Sequence, residues 1–324
     1  DDALRCNETI IAAAATGPAD SAVYHDAIYN RAVILRNIGR VDEARQGFLR
    51  SYEADPASYE DALLKAAECL QDAGKDSEAA RAFESAAGRI AAPGLKEQAL
   101  FRAGLIHEAE RRNAAADALF TQVAGFRGAL APDALYSLGR LALASGDTPA
   151  ALAAWRRAAD EYPLTLFGRR AALELARREP DTAAIPALAA LIKAAPDDAV
   201  AALARLARGR ILVGQGALDT GAREIKAALD NLPDNASQAE ARLLLGEIAL
   251  RRNRALEAKL NLDRVYHGEP FPGDEAYRAQ AGLALGRALA QLGRKAEAIN
   301  ILKEVVDKYP EAAPAAKELL QTLQ

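Results

Sequence analysis

Tyr29, Leu64, Phe101 and Tyr136 recur every 35 to 37 residues, and each sits in the same polar frame. Asp26, Asp61, Gln98 and Asp133 stand three residues before them, and Asn30, Lys65, Arg102 and Ser137 directly after. Arg170 continues the second row, and Arg140 lies four residues beyond Tyr136. Aromatic rings offer a large apolar face with a polar tip, and flanking charges offer strong, directional hydrogen bonds. Together they suit the holding of an extended peptide or protein surface rather than the making or breaking of a bond. One alternative is a solvated face with local ion pairs, each worth little. Another is that the position-equivalent side chains pack between helices, a reading that fits Leu64 better than Tyr29 or Tyr136.

Other reactive groups do not converge. The chain has three histidines, and His25, His107 and His267 lie too far apart along a repetitive chain to share a metal or a nucleophile. Each reads as a surface or partly packed residue. Cys6 and Cys69 form no metal or redox spacing, and a bridge between them is geometrically doubtful; both read as small buried or half-buried thiols. No glycine cluster follows a strand in the manner of a phosphate loop, and no carboxylate sits among partners that would mark acid–base chemistry. No catalytic residue, metal or cofactor is expected. A formal net charge of −4 argues against nucleic-acid binding, which favours a basic face. No apolar run approaches the roughly 18 residues of a membrane span. The sequence holds no methionine and begins at Asp1, so it reads as a processed product or an excised piece.

The elements that position the recognition residues follow from a second periodicity. Small residues occur at Ala32, Ala67, Gly104, Gly139, Ala172, Gly209, Gly246 and Gly286. Twelve positions after each stand Ala44, Ala79, Ala116, Ala151, Ala184, Gly221, Ala258 and Ala298. Four further on come Phe48, Phe83, Phe120, Trp155, Leu188, Ile225, Leu262 and Leu302. Two antiparallel helices approach closely only where one offers Gly or Ala, and the bulky residue fills the space beside it. Self-similarity at this period means stacked helix pairs, each burying its apolar stripe on the next.

The first full repeat runs from about residue 25, turns at Gly39, and places its second helix over about Val41 to Ala54 before Pro56. The others begin near Glu60, Glu97, Pro132, Thr165, Ala202, Ala239 and Ala279. Gly74, Gly146, Gly216 and Gly293 share the turn position of Gly39, where Arg111, Glu179 and Asn253 stand in the remaining repeats. The organisation is a half repeat and turn over 1–24, with Cys6 near its bulky position, Thr9 near its small one and a turn at Thr16-Gly17-Pro18. Repeats one to four cover 25–164, an irregular fifth repeat with Pro186 in its second helix covers 165–201, and repeats six to eight cover 202–312. A capping helix closes the chain over 313–324. The insertion Gly268–Asp274 is expected to be an exposed loop. Repeats six to eight carry Leu206, Leu243, Leu244 and Leu283 in the recognition rows, beside Arg210, Glu247 and Arg287. An exposed leucine row there would signal an interface.

The register from Gly286 through Ala298 and Leu302 to Tyr309-Pro310, and that from Asn30 to Pro56, resembles the tetratricopeptide repeat family over about residues 25–312. Departures are the missing tryptophan early in each first helix, Gly221 in place of Ala, and the weak fifth repeat. The resemblance implies an all-α, right-handed α-solenoid of about eight helix-turn-helix units, with an N-terminal half unit and a C-terminal capping helix. Its first helices would line a concave groove, and its role would be non-catalytic binding of a protein or peptide. The expected groove contacts are Asp26, Tyr29, Asn30, Asp61, Lys65, Phe101, Arg102, Asp133, Tyr136, Arg140 and Arg170. The family's carboxylate clamp, which holds chaperone C-termini, is not expected, because Tyr29 and Val33 replace its first Lys/Asn pair. The segment Val305–Lys317, echoed by Glu161-Tyr162-Pro163, is similar to units of bacterial envelope proteins. This points to an envelope assembly or secretion process in the periplasm or at the outer membrane, with the cytoplasm as the alternative. Self-association, and a role as a regulatory or targeting module cut from a larger protein, are the other readings.

Overall fold

The computed structural model describes residues 2–14 and 21–323; the expected turn at Thr16-Gly17-Pro18 lies outside them. Eighteen α-helices and no strand occur among the described residues. A single helix, α1 (Asp2–Ala14), precedes eight consecutive pairs. These are α2 (Ser21–Asn37) with α3 (Val41–Ala54), α4 (Glu60–Asp72) with α5 (Asp76–Arg89), α6 (Pro93–Ala109) with α7 (Asn113–Phe126), and α8 (Ala131–Ala144) with α9 (Thr148–Glu161). Then come α10 (Leu166–Ala176) with α11 (Asp181–Ala194), α12 (Ala199–Gly214) with α13 (Leu218–Ala228), α14 (Asn235–Arg251) with α15 (Ala255–Tyr266), and α16 (Glu275–Gln291) with α17 (Lys295–Lys308). The last helix, α18 (Ala313–Leu323), packs on α17. The fold is the expected all-α solenoid type. It divides into two compact bodies, and the division falls after Ala171, inside the short first helix of the fifth repeat.

The small-against-bulky pairing sets the helix contacts. Phe48, Phe83, Phe120 and Trp155 are buried to 1% exposure or less, as are Leu188, Ile225, Leu262 and Leu302. A Cβ placed on Gly104 would lie 2.7 Å from Phe120 Cε1, and one on Gly209 2.6 Å from Ile225 Cγ1. One on Gly246 would lie 2.6 Å from Leu262, and one on Gly286 2.7 Å from Leu302. On Gly139 it would overlap the Trp155 indole ring. These glycines are therefore absences of volume, filled by the side chain sixteen residues on.

The intra-repeat turns need a left-handed residue. Gly39, Gly74, Gly146, Gly216 and Gly293 all have positive φ, and so do Arg111 (59°) and Asn253 (56°). Glu179 does not, so the fifth repeat turns by another route, through Pro180 directly before α11. A left-handed non-glycine costs about 1–2 kcal/mol, partly offset by glycine's larger entropy loss on folding. Arg111→Gly should therefore stabilise the protein by about 0.5–1 kcal/mol, visible as a higher midpoint of thermal unfolding.

Two expectations need correction. In α1, Cys6 and Thr9 are exposed, and Leu4, Asn7, Ile10 and Ile11 are half-buried instead, so the half repeat does not carry the bulky-and-small register. Several first helices begin a turn early, α2 at Ser21, α6 at Pro93, α14 at Asn235 and α16 at Glu275. This added turn lies beyond the close helix contact and so carries no repeat signal; Pro93 suits a first helical position, and Asp234 caps α14 by accepting the Ser237 N–H at 2.7 Å. The insertion over 268–274 is the expected exposed loop, with Glu269, Pro270, Pro272 and Gly273 open to solvent, and it is anchored at its ends. Arg278 donates to Tyr266 O at 3.0 Å and Gly268 O at 2.7 Å and pairs with the buried Asp274, while Phe271 packs on Tyr277 with ring centroids 6.0 Å apart.

Candidate functional site

All of the expected contact residues fall in the N-terminal body, on the first helices α2, α4, α6, α8 and α10. They form two aromatic–acid clusters with an apolar depression near Phe101. In the first cluster, the half-buried Tyr29 donates its hydroxyl to Asp61. Its ring rests on Phe48 and Tyr59, at centroid distances of 5.5 and 5.4 Å. Tyr59 donates to Asp26 at 2.5 Å, and Lys65 sits 3.4 Å from Asp61 and over the Tyr29 ring at 5.9 Å. Burial, then the hydrogen bond to Asp61, hold the Tyr29 phenol well above its usual range. Burial and Asp26 push Tyr59 up to about 12. Both phenols are thus locked as donors, and Tyr29 is part packing and part surface. Asn30 is exposed beside them.

The second cluster joins Tyr136 to Phe167, ring centroids 5.4 Å apart, with Arg170 stacked over Phe167 at 5.0 Å. Ser137 is buried, at 5% exposure, and so leaves the recognition rows. Burial, with repulsion from Glu97, raises the Asp133 carboxyl to about 6, against backbone hydrogen bonding and Arg170 acting the other way. Its folded value lies above that of the unfolded chain. The stability it contributes is therefore fully present below the usual carboxylate range and is lost as pH rises through about 6. Asp133→Asn should flatten the dependence of the urea midpoint between about pH 4 and pH 6, and should raise it at neutral pH.

Ion pairs link successive repeats across this face. Glu68 pairs with Arg36 from the repeat before and with Arg102 of the repeat after, the latter at 3.0 Å, and Glu108 pairs with Arg140 at 2.7 Å. Arg102 and Arg140 remain exposed beyond these pairs, so they order the face while still presenting charge to solvent.

Beside Arg102 opens a depression of about 520 Å³ lined by Phe101, Leu105, Leu130, Gln98, Gln71 and Arg102, with Gly94, Glu97 and Ala129. Phe101 is half-buried against Phe120, ring centroids 5.5 Å apart, and Leu105 is 42% exposed. The floor is set by Glu97, 4% exposed, which accepts the Leu130 N–H at 2.9 Å and occupies the volume a side chain on Gly128 would need. Glu60 makes the same brace one repeat earlier, accepting from Ala91 N at 2.6 Å and Ala92 N at 3.0 Å. Of the expected residues, Phe101 and Arg102 line this depression. Leu105 was not anticipated; its signal was a leucine at the position where neighbouring repeats carry Glu68 and Arg140.

In the C-terminal body the leucine row is not exposed. Leu206 and Leu243 are buried to 1% and 6%, in the interior, while Leu244 and Leu283 are half-buried. Leu283 does line a shallow depression with Glu247, Leu250 and Arg287. His107, expected at or near the surface, is 5% exposed, with Nε2 2.6 Å from Glu84. Cys69 is buried, which pushes its thiol up to about 11, and Cys6 is exposed; neither is bridged. Among the described residues no three His, Cys, Asp or Glu side chains converge as a metal site would need, and no helix is long and apolar enough to cross a membrane.

Comparison with known proteins agrees with the geometry. One family model described as tetratricopeptide repeat matches residues 61–89 and 280–312, and a second with the same description matches 136–199 and 206–275, together more than half the chain. No curated protein matches the sequence. Among solved structures, a tetratricopeptide repeat protein from Parabacteroides merdae is 14% identical, with a TM-score of 0.53 over 79% of this chain and 98% of that one. The apo form of RapI is 11% identical, with a TM-score of 0.55 over 93% of this chain and 97% of that one. The hetero-tetramer of Cut9 and Hcn1 from the APC/C gives 14% identity and a TM-score of 0.55, over 98% of this chain and 58% of that one. At these identities the likeness is one of fold.

Proposed function

The chain belongs to the tetratricopeptide repeat family, a family of protein–protein interaction scaffolds, and from that premise we propose that it is a non-catalytic binder whose N-terminal body takes a peptide or protein surface at the Phe101 depression. One observation carries this reading. On a face lined by ion pairs and half-buried rings, Phe101, Leu105 and Leu130 leave an apolar hollow open to solvent, edged by Gln71, Gln98 and Arg102. An apolar anchor of the partner would fill the hollow, and the amide and guanidinium edges would take the adjacent backbone or a carboxylate. The flanking clusters around Tyr29 and Tyr136, with Asn30, Asp61, Lys65, Asp133, Arg140 and Arg170, would extend the contact along the same helices. An envelope setting rests on the Tyr-Pro endings at Tyr162-Pro163 and Tyr309-Pro310; fractionation of cells producing the native protein tests it. The binding reading is tested with Leu105→Asp. This variant should unfold at the wild-type temperature yet no longer retain the proteins that the wild type captures, and capture at full strength would refute the assignment.

A further inference from the structure

The inserted segment between repeats seven and eight does more than join them. Held by Arg278 through Tyr266 O, Gly268 O and Asp274, it walls one side of a polar, solvent-open cavity of about 160 Å³ against the start of α14 and the end of α15. Its walls include Asn235, Gln238, Arg242, Arg264, Gly268 and Phe271.

Arg242 and Arg264 both line this cavity, and among the described residues neither has a carboxylate within ion-pair distance. Elsewhere in this body the half-buried arginines are neutralised: Arg205 and Arg208 by Glu224, Arg252 by Asp219, and Arg278 by Asp274. Burial and the facing Arg264 charge both depress Arg242, and Asp230 offsets this only from a distance. Glu269 lies on the rim without pairing to either guanidinium. Two like charges facing one cavity repel each other, and a bound anion removes that repulsion.

We propose that this cavity is a phosphate-binding site. Two guanidinium forks supply two positive charges and several directed N–H donors, which match the charge and the three acceptor oxygens of a phosphate group. The cavity is open to solvent on one side, so the organic part of a phosphate ester would extend outward. Arg278 is a positioning residue here, because it holds the loop that forms the wall.

The test is a titration of the full chain with inorganic phosphate against chloride at matched ionic strength, followed by calorimetry and by the shift in unfolding temperature. Saturable one-site binding is expected. Arg264→Gln, at an exposed position, should weaken it about tenfold or more, as should Arg242→Gln. Glu269→Gln should strengthen it by removing a repelling charge, and Arg287→Gln, outside the cavity, should leave it unchanged. A phosphoserine peptide that binds tighter than inorganic phosphate would identify an ester as the ligand, and equal affinity would identify the free ion. A non-saturating response, or one of equal size in Arg264→Gln, would overturn the site. If Arg242→Gln fails to fold, Arg264→Gln and Glu269→Gln still decide the matter, because their expected effects have opposite signs.

Discussion

Trp155→Ala should lower the stability of the protein by about 3–5 kcal/mol, the range for emptying a fully buried aromatic site. Trp155 is 1% exposed, its indole N–H reaches Tyr136 O at 3.2 Å, and its ring fills the space left by Gly139. Removing it empties a volume that backbone on both sides fixes, so collapse is limited. The effect should be visible as a marked fall in the urea midpoint. Gly139→Ala alone should also destabilise, because its Cβ would overlap the indole. Combined with Trp155→Ala, the added methyl enters vacated space, so the double variant should be more stable than the sum of the single losses. Additive losses would mean that the two residues do not share one packing site.

The second large effect concerns binding. Phe101→Ala should weaken the partner by about 2 kcal/mol, or roughly thirtyfold, because it removes the wall common to the hollow and the Arg102 edge. Phe101 also packs on Phe120, so part of its loss will appear as reduced stability. Leu105→Asp separates the two. Its side chain is 42% exposed, and a carboxylate there costs little in the free protein but must be desolvated beneath a partner's apolar anchor. A loss of affinity of similar size, without a fall in the urea midpoint, is the expected pattern.

How much of this was legible before the structure differs by level. The helix pairs and their register were readable, because close helix approach admits few residue types and Gly139 against Trp155 or Gly104 against Phe120 leave that constraint in plain view. Arg111 and Asn253 kept the left-handed turn without glycine, so the turn was legible from register even where composition obscured it. The site was legible only in part. Phe101 and Arg102 were found by periodicity, but the hollow beside them depends on the path of residues 128–130. That path is set by Glu97 accepting a backbone N–H and by the lack of a side chain at Gly128. Such a contact joins residues about thirty positions apart and repeats only once, at Glu60, so it makes no lasting period. Leu206 and Leu243 misled for the opposite reason: the row is periodic, but the periodicity does not say whether a side chain ends in the interior or in solvent. The Arg278 clamp belongs to the one insertion that breaks the repeat, where no neighbouring copy offers a template.

The most direct measurement places a photo-cross-linking amino acid at position 105, in the Phe101 depression, and in parallel at position 81, on the exposed side of α5. If the N-terminal body binds through this hollow, position 105 should cross-link to a discrete partner while position 81 gives none. Equal cross-linking from both positions, or none from position 105 in a sample that retains its partner, would contradict the account.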